Sequence, residues 1–292
     1  MLAGKPPSNA MREQTLESGN RMLLINPYRH GGGGGFTPAS LTGLELWLDF
    51  SDASTVFSDA GVTLASNNDT IQQVNDKSGN ARHASQANPS FRPTFKTAFQ
   101  NSLSVSDFGG SALLTSGSTS TWNFLHNGTN SLVFAVVKFG NSDTTNVRYS
   151  VCGTNGFSGS NTGYLLLFND LSVNNGLQSF YTGGVQVSSN LSSAGACSPN
   201  TWVLLEDEAD ADNATAADRS KIQVNGGAVI ANNSSSGTAS TGNSTFALAI
   251  GADGASRNLV GQIGELIICS NPNTSFRSDL RTYAANKWGI SI

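Results

Sequence analysis

From residue 36 onward, apolar positions come in short runs punctuated by Gly, Asn and Ser. Leu44-Glu45-Leu46-Trp47-Leu48-Asp49 alternates apolar and polar residues and runs into an Asp-Phe-Ser-Asp turn, the pattern of a half-buried strand. Residues 71–75, 164–168, 180–187, 202–206, 221–224 and 246–250 read as further strands, and 132–139 is apolar and β-branched enough for the centre of a sheet. Asn225-Gly226 between two such runs predicts a hairpin turn. Leu266, Ile267 and Ile268 make a short run of buried type. The period then changes to a helical one. Phe276, Leu280, Tyr283, Ala284 and Trp288 recur three and four residues apart, which predicts an amphipathic helix over 275–288, capped by Thr274 or Ser275 and stopped by a left-handed Gly289. Strand after strand closed by one helix predicts an all-β fold, a two-sheet antiparallel sandwich from about Leu41 to Ile292.

The first 35 residues differ. Residues 1–21 are polar without a period, 22–30 (MLLINPYRH) hold a compact apolar group, and 31–35 are five consecutive glycines. A five-glycine run behaves as a flexible coil. The expected layout is an extended arm over 1–35 and one domain over 36–292. Exposed apolar groups on a flexible tether are liabilities unless a partner covers them. Leu23, Leu24, Ile25 and Tyr28 are therefore the expected docking element.

Composition narrows the function. Only 12% of the 292 residues are charged and 32 are Gly, the balance being largely Ser, Thr and Asn, as many short strands and tight turns produce. A net charge of −4, with 16 Lys and Arg scattered singly, excludes a nucleic-acid platform. The three cysteines, Cys152, Cys197 and Cys269, have no metal-type spacing, and free buried thiols are expected, with one disulfide left open. No stretch reaches the length of a membrane span or a signal-peptide core, so membrane insertion and Sec export are not expected.

Several motifs together resemble the LamG-like, concanavalin A-like jelly rolls of bacterial and bacteriophage surface proteins. The family's Leu-x-x-Trp-x-Asp opening is matched by Leu44, Trp47 and Asp49, with Asp52-Ala53-Ser54 displaced behind it. An Asp-Lys-Ser-Gly-Asn turn lies at 76–80, Arg92-Pro93 follows, and a Val-Asn-Gly hairpin lies at 224–226. Gly261, Ile263 and Glu265 match Gly-x-Ile-x-Glu, and Tyr283, Lys287, Trp288 and Gly289 match the closing helix. The opening Met22-Leu-Leu-Ile25-Asn-Pro-Tyr28-Arg followed by glycines also resembles the starts of phage virion proteins, with Met22 as an equivalent start. The resemblance implies a non-enzymatic virion protein made in the host cytoplasm: a jelly roll on the particle surface, tethered by its arm to capsid or tail proteins. Decoration or stabilisation of the particle, a homo-oligomeric state there, and adhesion to host or environmental glycans are expected. A glycan-cleaving glucanase and a secreted bacterial adhesin are the alternatives.

One acidic cluster, Glu206-Asp207-Glu208-Ala209-Asp210-Ala211-Asp212, carries the candidate chemistry. As a strand it would project Glu208, Asp210 and Asp212 from one face. Concanavalin A-like glucanases use a Glu-x-Asp-x-Glu strand in this way, and retaining hydrolysis needs two carboxyls about 5–5.5 Å apart. The final Asp is shorter and the Ala spacers are small, which disfavours catalysis. The same Glu208, Asp210 and Asp212 offer hard oxygen ligands for Ca²⁺. The plainer reading is a solvated acidic loop opposite Arg219 and Lys221. His30, His83 and His126 have no nucleophile motif beside them, and the glycine run lacks the Lys-Ser/Thr of a phosphate loop. Sugars stack on indoles and phenols. Trp47, Trp202 and Trp288 read as core, which leaves Trp122 in a loop-like Ser/Thr setting, with Tyr149 and Tyr181, as the expected glycan platform.

Overall fold

The computed structural model describes residues 35–140, 148–158, 160–168, 177–183, 186–191, 197–231 and 239–292, with backbone alone for 177–183 and 186–191. In chain order the strands are β1 (Leu44–Asp49), β2 (Val56–Phe57), β3 (Gln73–Val74), β4 (Ala84–Ser85), β5 (Thr94–Gln100), β6 (Leu103–Asp107), β7 (Leu114–Ser116), β8 (Ser131–Phe139) and β9 (Tyr149–Gly153). They continue as β10 (Thr162–Phe168), β11 (Leu177–Gly183), β12 (Gln186–Leu191), β13 (Trp202–Ala209), β14 (Ser220–Val224), β15 (Ile230–Ala231), β16 (Leu248–Ile250) and β17 (Gly261–Ser270), before helix α1 (Arg277–Trp288).

Among the described residues these strands form two antiparallel sheets. Sheet A runs β15-β14-β13-β8-β17-β6-β5, with β1 also on β17, and sheet B runs β12-β11-β10-β9-β16-β7-β4-β3-β2. The two-sheet sandwich with one C-terminal helix is the fold the hydrophobic pattern predicts. The main core lies between the sheets, where Leu46, Phe50, Val137, Phe168 and Leu266 are buried together. A second core lies on the outer face of sheet A, where Trp47, Phe134 and Ile267 meet Leu280, Ala284 and Trp288 of α1. Strands β8 and β17 are thus covered on both faces, which is why they read as nearly continuous apolar runs.

Two local devices fix this arrangement. In β17 the ladder shifts between Ile263 and Glu265, so Gly264 is an extra residue. The bulge keeps Ile263 in the inter-sheet core and turns Glu265 toward α1. The β5–β6 hairpin turns on Asn101 and Ser102, both left-handed (φ 48° and 59°), as a type I′ turn requires. From this hairpin the Gln100 and Asn101 amides donate to the carbonyls of Trp288 and Lys287, at 2.7 and 2.8 Å, satisfying the end of α1.

Several local expectations change. The run 180–187 is not one strand but the meeting of β11 and β12, broken near consecutive glycines. The helix is not capped by Thr274 or Ser275. A 3-10 turn at Thr274–Phe276 precedes it, and Asn273 Oδ1 accepts the Ser275 amide at 3.0 Å. Gly289 closes α1 in the left-handed conformation (φ 66°), as expected. Asn225 and Gly226 form the predicted hairpin turn between β14 and β15, at φ 49° and 65°.

Candidate functional site

The acidic cluster is a strand as far as Ala209, and its alternation splits the carboxylates between two environments. Asp207 faces the inter-sheet core, where the Tyr164 hydroxyl donates to it at 2.5 Å. Glu206 and Glu208 face outward, beneath α1. Arg281 grips Glu206 through Nε and through Nη2 at 2.9 Å, and also reaches Gln223. Arg277 pairs with Glu208 at 2.7 Å, with Lys221 at 3.9 Å. Beyond Ala209 the chain turns. Burial pushes the Asp210 carboxyl up, and the Asp212 and Glu208 charges add to this against a hydrogen bond from Asn213. Asp212 packs over Gly128, where a Cβ would fall within 2.5 Å of its Oδ2. Glu208, Asp210 and Asp212 therefore do not share one strand face, and among the described residues no three His, Cys, Asp or Glu side chains are grouped to hold a metal. The expectation of a solvated loop is corrected as well, since Glu206, Asp207 and Glu208 are all buried.

Trp122 is no sugar platform. It is fully buried in the inter-sheet core, its indole N–H given to the Ser116 carbonyl at 2.7 Å and Arg82 lying over its ring. The Ser/Thr residues that made it look like a loop form a hydrogen-bonded turn, with the Ser118 amide donating to Thr121 Oγ1 at 2.9 Å, and a 3-10 turn at Asn123–Leu125 follows the indole. Tyr149 is likewise buried, stacked on Phe168 with centroids 6.3 Å apart. Tyr181 lies in β11 opposite Tyr164, and its side chain is outside the described residues. Leu23, Leu24, Ile25 and Tyr28 also lie outside them. The three cysteines are buried free thiols, and burial, with the Glu45 charge adding at Cys269, pushes Cys197 and Cys269 up to about 12.

Six of the motif residues, Trp47, Asp49, Glu265, Tyr283, Lys287 and Trp288, meet in one place, the seam between α1 and the outer face of sheet A. Glu265 is completely buried, and Oε1 accepts from Trp47 Nε1 at 2.7 Å and the Tyr283 hydroxyl at 2.9 Å. Its Oε2 accepts from Trp288 Nε1 at 2.9 Å and Lys287 Nζ at 3.0 Å. Lys287 also reaches Asp49 at 2.8 Å, and Lys77 bridges Asp49 and Asp52 at 3.0 and 2.7 Å. Burial and the Asp49 charge push the Glu265 carboxyl up, against the pull of Lys287 and the two indole N–H groups. Burial would also raise Asp49, but Lys287 and Lys77 outweigh it and hold that carboxyl down. These polar groups are partnered with one another, and together they clasp the helix to the sheet.

Where α1 stops, the outer face of sheet A opens. One register row crosses four strands there: Trp202 of β13, Lys138 of β8, Gln262 of β17 and Asp107 of β6. All four are half-buried. Trp202 stacks on Trp288 with centroids 6.0 Å apart at 19°, and Lys138 Nζ lies 4.8 Å from the ring of Phe99, which is 44% exposed. Gln262 Nε2 donates to Asp107 at 2.8 Å, while its Oε1 is buried with no partner among the described residues. Sequence reading passed over this row because Trp202 opens a strand. The available signal was Lys138, the one charge in an otherwise apolar β8, which marks where the helix cover ends.

No family model matches the chain, and no curated protein matches it in sequence. Among solved structures it is similar to domain 4 of AbnA, a GH43 extracellular arabinanase from Geobacillus stearothermophilus in complex with arabinotriose. That likeness has a TM-score of 0.50 and 12% identity, over 82% of this chain and 97% of that one. It is similar also to an arabinofuranosidase complexed with arabinofuranosyl-α-1,2-xylobiose, with a TM-score of 0.50 and 13% identity, over 85% of this chain and 59% of that one. At such identities the likeness is one of fold, a β-sandwich.

Proposed function

We propose that this chain is a non-catalytic glycan-binding sandwich displayed on a bacteriophage particle, with residues 1–35 as its tether to capsid or tail. The observation that carries the non-catalytic part is the fate of the acidic strand. Glu206 and Glu208 are each held by an arginine of α1, and Asp207 is turned into the core. A retaining glycosidase needs two carboxyls converging on one open site, about 5–5.5 Å apart, one of them free to give up a proton. Carboxylates committed to guanidinium groups under a helix perform neither role. The likeness to sandwiches solved with arabinose-containing ligands names the first glycans to try. The phage setting rests on the opening Met22–Arg29 stretch and the glycine run behind it. No metal or organic cofactor has a part in this reading.

The test uses the full chain with arabinan, arabinoxylan and bacterial surface polysaccharides. Retention on one of these polymers with no release of reducing ends is the expected result. Steady release of reducing ends, abolished by Glu206→Gln or Glu208→Gln, would replace this reading with the glucanase one.

A further inference from the structure

We propose that Trp202, Lys138, Gln262 and Asp107 form a glycan-binding strip on the outer face of sheet A, beside the C-terminal end of α1. This inference rests on the glycan-binding reading above and gives that reading a place.

The strip follows from how the helix ends. Gly289 turns the chain out of α1, the helix ends at Trp288, and Ile290 is the last residue buried in the outer core. The sheet does not stop there. Its next row is Trp202, Lys138, Gln262 and Asp107, in register across β13, β8, β17 and β6. Three strand-to-strand spacings of about 4.8 Å make the row about 14 Å long, longer than a single sugar ring. An apolar face left open at this point would invite association, but here one aromatic residue is followed by three polar ones. Trp202 is backed by Trp288, which fixes its plane and leaves it half-buried. Phe99, carried in by the β5–β6 hairpin, stands at the other flank with Lys138 held over its ring.

Each member supplies one of the contacts that a sugar requires. The carbon-bound hydrogens of a sugar ring stack on an indole that is already held rigid. The Lys138 ammonium donates to hydroxyl or ring oxygens. Gln262 is the more telling residue. Its amide is oriented by the bond from Nε2 to Asp107, which leaves Oε1 pointing elsewhere as an acceptor without a donor among the described residues. Buried acceptors in folded proteins are almost always satisfied, and an exception calls for a partner. A sugar hydroxyl is a donor of the right kind, and it reaches Oε1 when the Gln262 side chain turns outward, since that oxygen is buried in the unliganded chain. Donors and acceptors in a shallow row beside an aromatic face suit a chain of neutral hydroxyl-bearing rings better than a peptide, whose side chains would need apolar pockets, or an anion, which Asp107 would repel.

The experiment screens the full chain on an oligosaccharide array that includes arabinotriose and xylo-oligosaccharides. The best glycan is then titrated against the parent and against Trp202→Ala, Lys138→Ala and Gln262→Ala. Folding of each variant is checked by circular dichroism. We expect the parent to bind, Trp202→Ala to weaken binding about tenfold or more, and each of the other two to weaken it severalfold. Because Trp202 packs on Trp288, its removal can cost folding. In that event Lys138→Ala and Gln262→Ala, both half-buried and outside the two hydrophobic cores, decide the matter. A parent that binds, with every folded variant binding equally tightly, removes the strip and leaves the glycan-binding reading in place. A parent that binds no glycan on the array removes both.

Discussion

Gly264 and Trp288 occupy adjoining space so closely that no side chain fits between them: a Cβ on Gly264 would lie 2.6 Å from Trp288 Cη2. The β17 bulge therefore exists to receive the indole. Gly264→Ala should destabilise the domain by about 1–3 kcal/mol through overpacking. Trp288→Ala should cost about 3–5 kcal/mol through the cavity it leaves. Denaturant melts of the two single variants and the double variant measure the coupling, and the effects should fall short of additive. A Gly264→Ala protein that melts like its parent would show that the helix is not seated on the bulge.

Lys287 is the cation shared by Asp49 and Glu265. Lys287→Met keeps the bulk and removes the charge, leaving two buried carboxylates with less compensation, at a cost of about 3–5 kcal/mol near neutral pH. Burial already pushes Glu265 up, so in the variant it should accept a proton readily. The penalty should therefore shrink as the pH is lowered toward 5. Urea melts of parent and variant at several pH values show whether the gap narrows, and a gap that widens would overturn the assignment.

Asp253 sets an acid limit. Burial would raise its carboxyl, but the backbone N–H groups of Arg257, Ala255 and Ser256 and the Arg257 guanidinium hold it below 3.8. A carboxyl depressed in the folded state gives stability that is complete above its unfolded value, about 3.9, and is lost as pH falls through the folded one. Asp253→Asn should lower stability at pH 7 and flatten its dependence on pH below about 4. Thermal melts between pH 2 and 7 compare the slopes.

Glu206→Ala leaves Arg281 without its carboxylate, with only Gln223 as a remaining hydrogen-bond partner among the described residues. A loss of about 1–3 kcal/mol is expected, with glycan retention unchanged. If retention falls while the melting point stays put, Glu206 belongs to a binding site instead.

Deleting residues 1–35 should leave a folded sandwich that no longer travels with particles. Ordering the arm costs on the order of 1–2 kcal/mol per residue, so strong contacts must compensate wherever it docks. Co-sedimentation with purified virions measures this. Full occupancy by the truncated chain would place the attachment site on the sandwich.

The sequence exposed the framework better than the surface. Strand β8 and helix α1 were legible because their apolar periods are long, and the Asn225-Gly226 turn because its backbone demands those residues. The acidic strand was ambiguous because the partners of its outward carboxylates, Arg277 and Arg281, lie about 70 residues away in the chain. Local pattern carries no record of such a partner. Trp122 misled for the opposite reason. Its Ser and Thr neighbours read as solvent-facing, yet they form a hydrogen-bonded turn that leads into a fully buried indole. Trp202 was read as core, and only the point where α1 ends exposes its edge. Glu265, Lys287 and Trp47 were visible as motif members, but their convergence on one buried carboxylate is a tertiary fact.

Strand β17 lies inside sheet A, paired along one side with β8 and along the other with β6 and then β1. Its contacts reach far back: Ser270 to Glu45 across 225 residues, and Glu265 to Trp47 across 218. Closure of so many long loops places the domain among slow folders, on the order of milliseconds to seconds. During synthesis, β1 and β8 leave the ribosome well before their shared neighbour, with bare edges and uncovered apolar faces. The nascent chain thus passes through an aggregation-prone interval that ends when residues 261–288 arrive, and yield in expression should depend on chaperone supply and temperature more than on the stability of the finished protein.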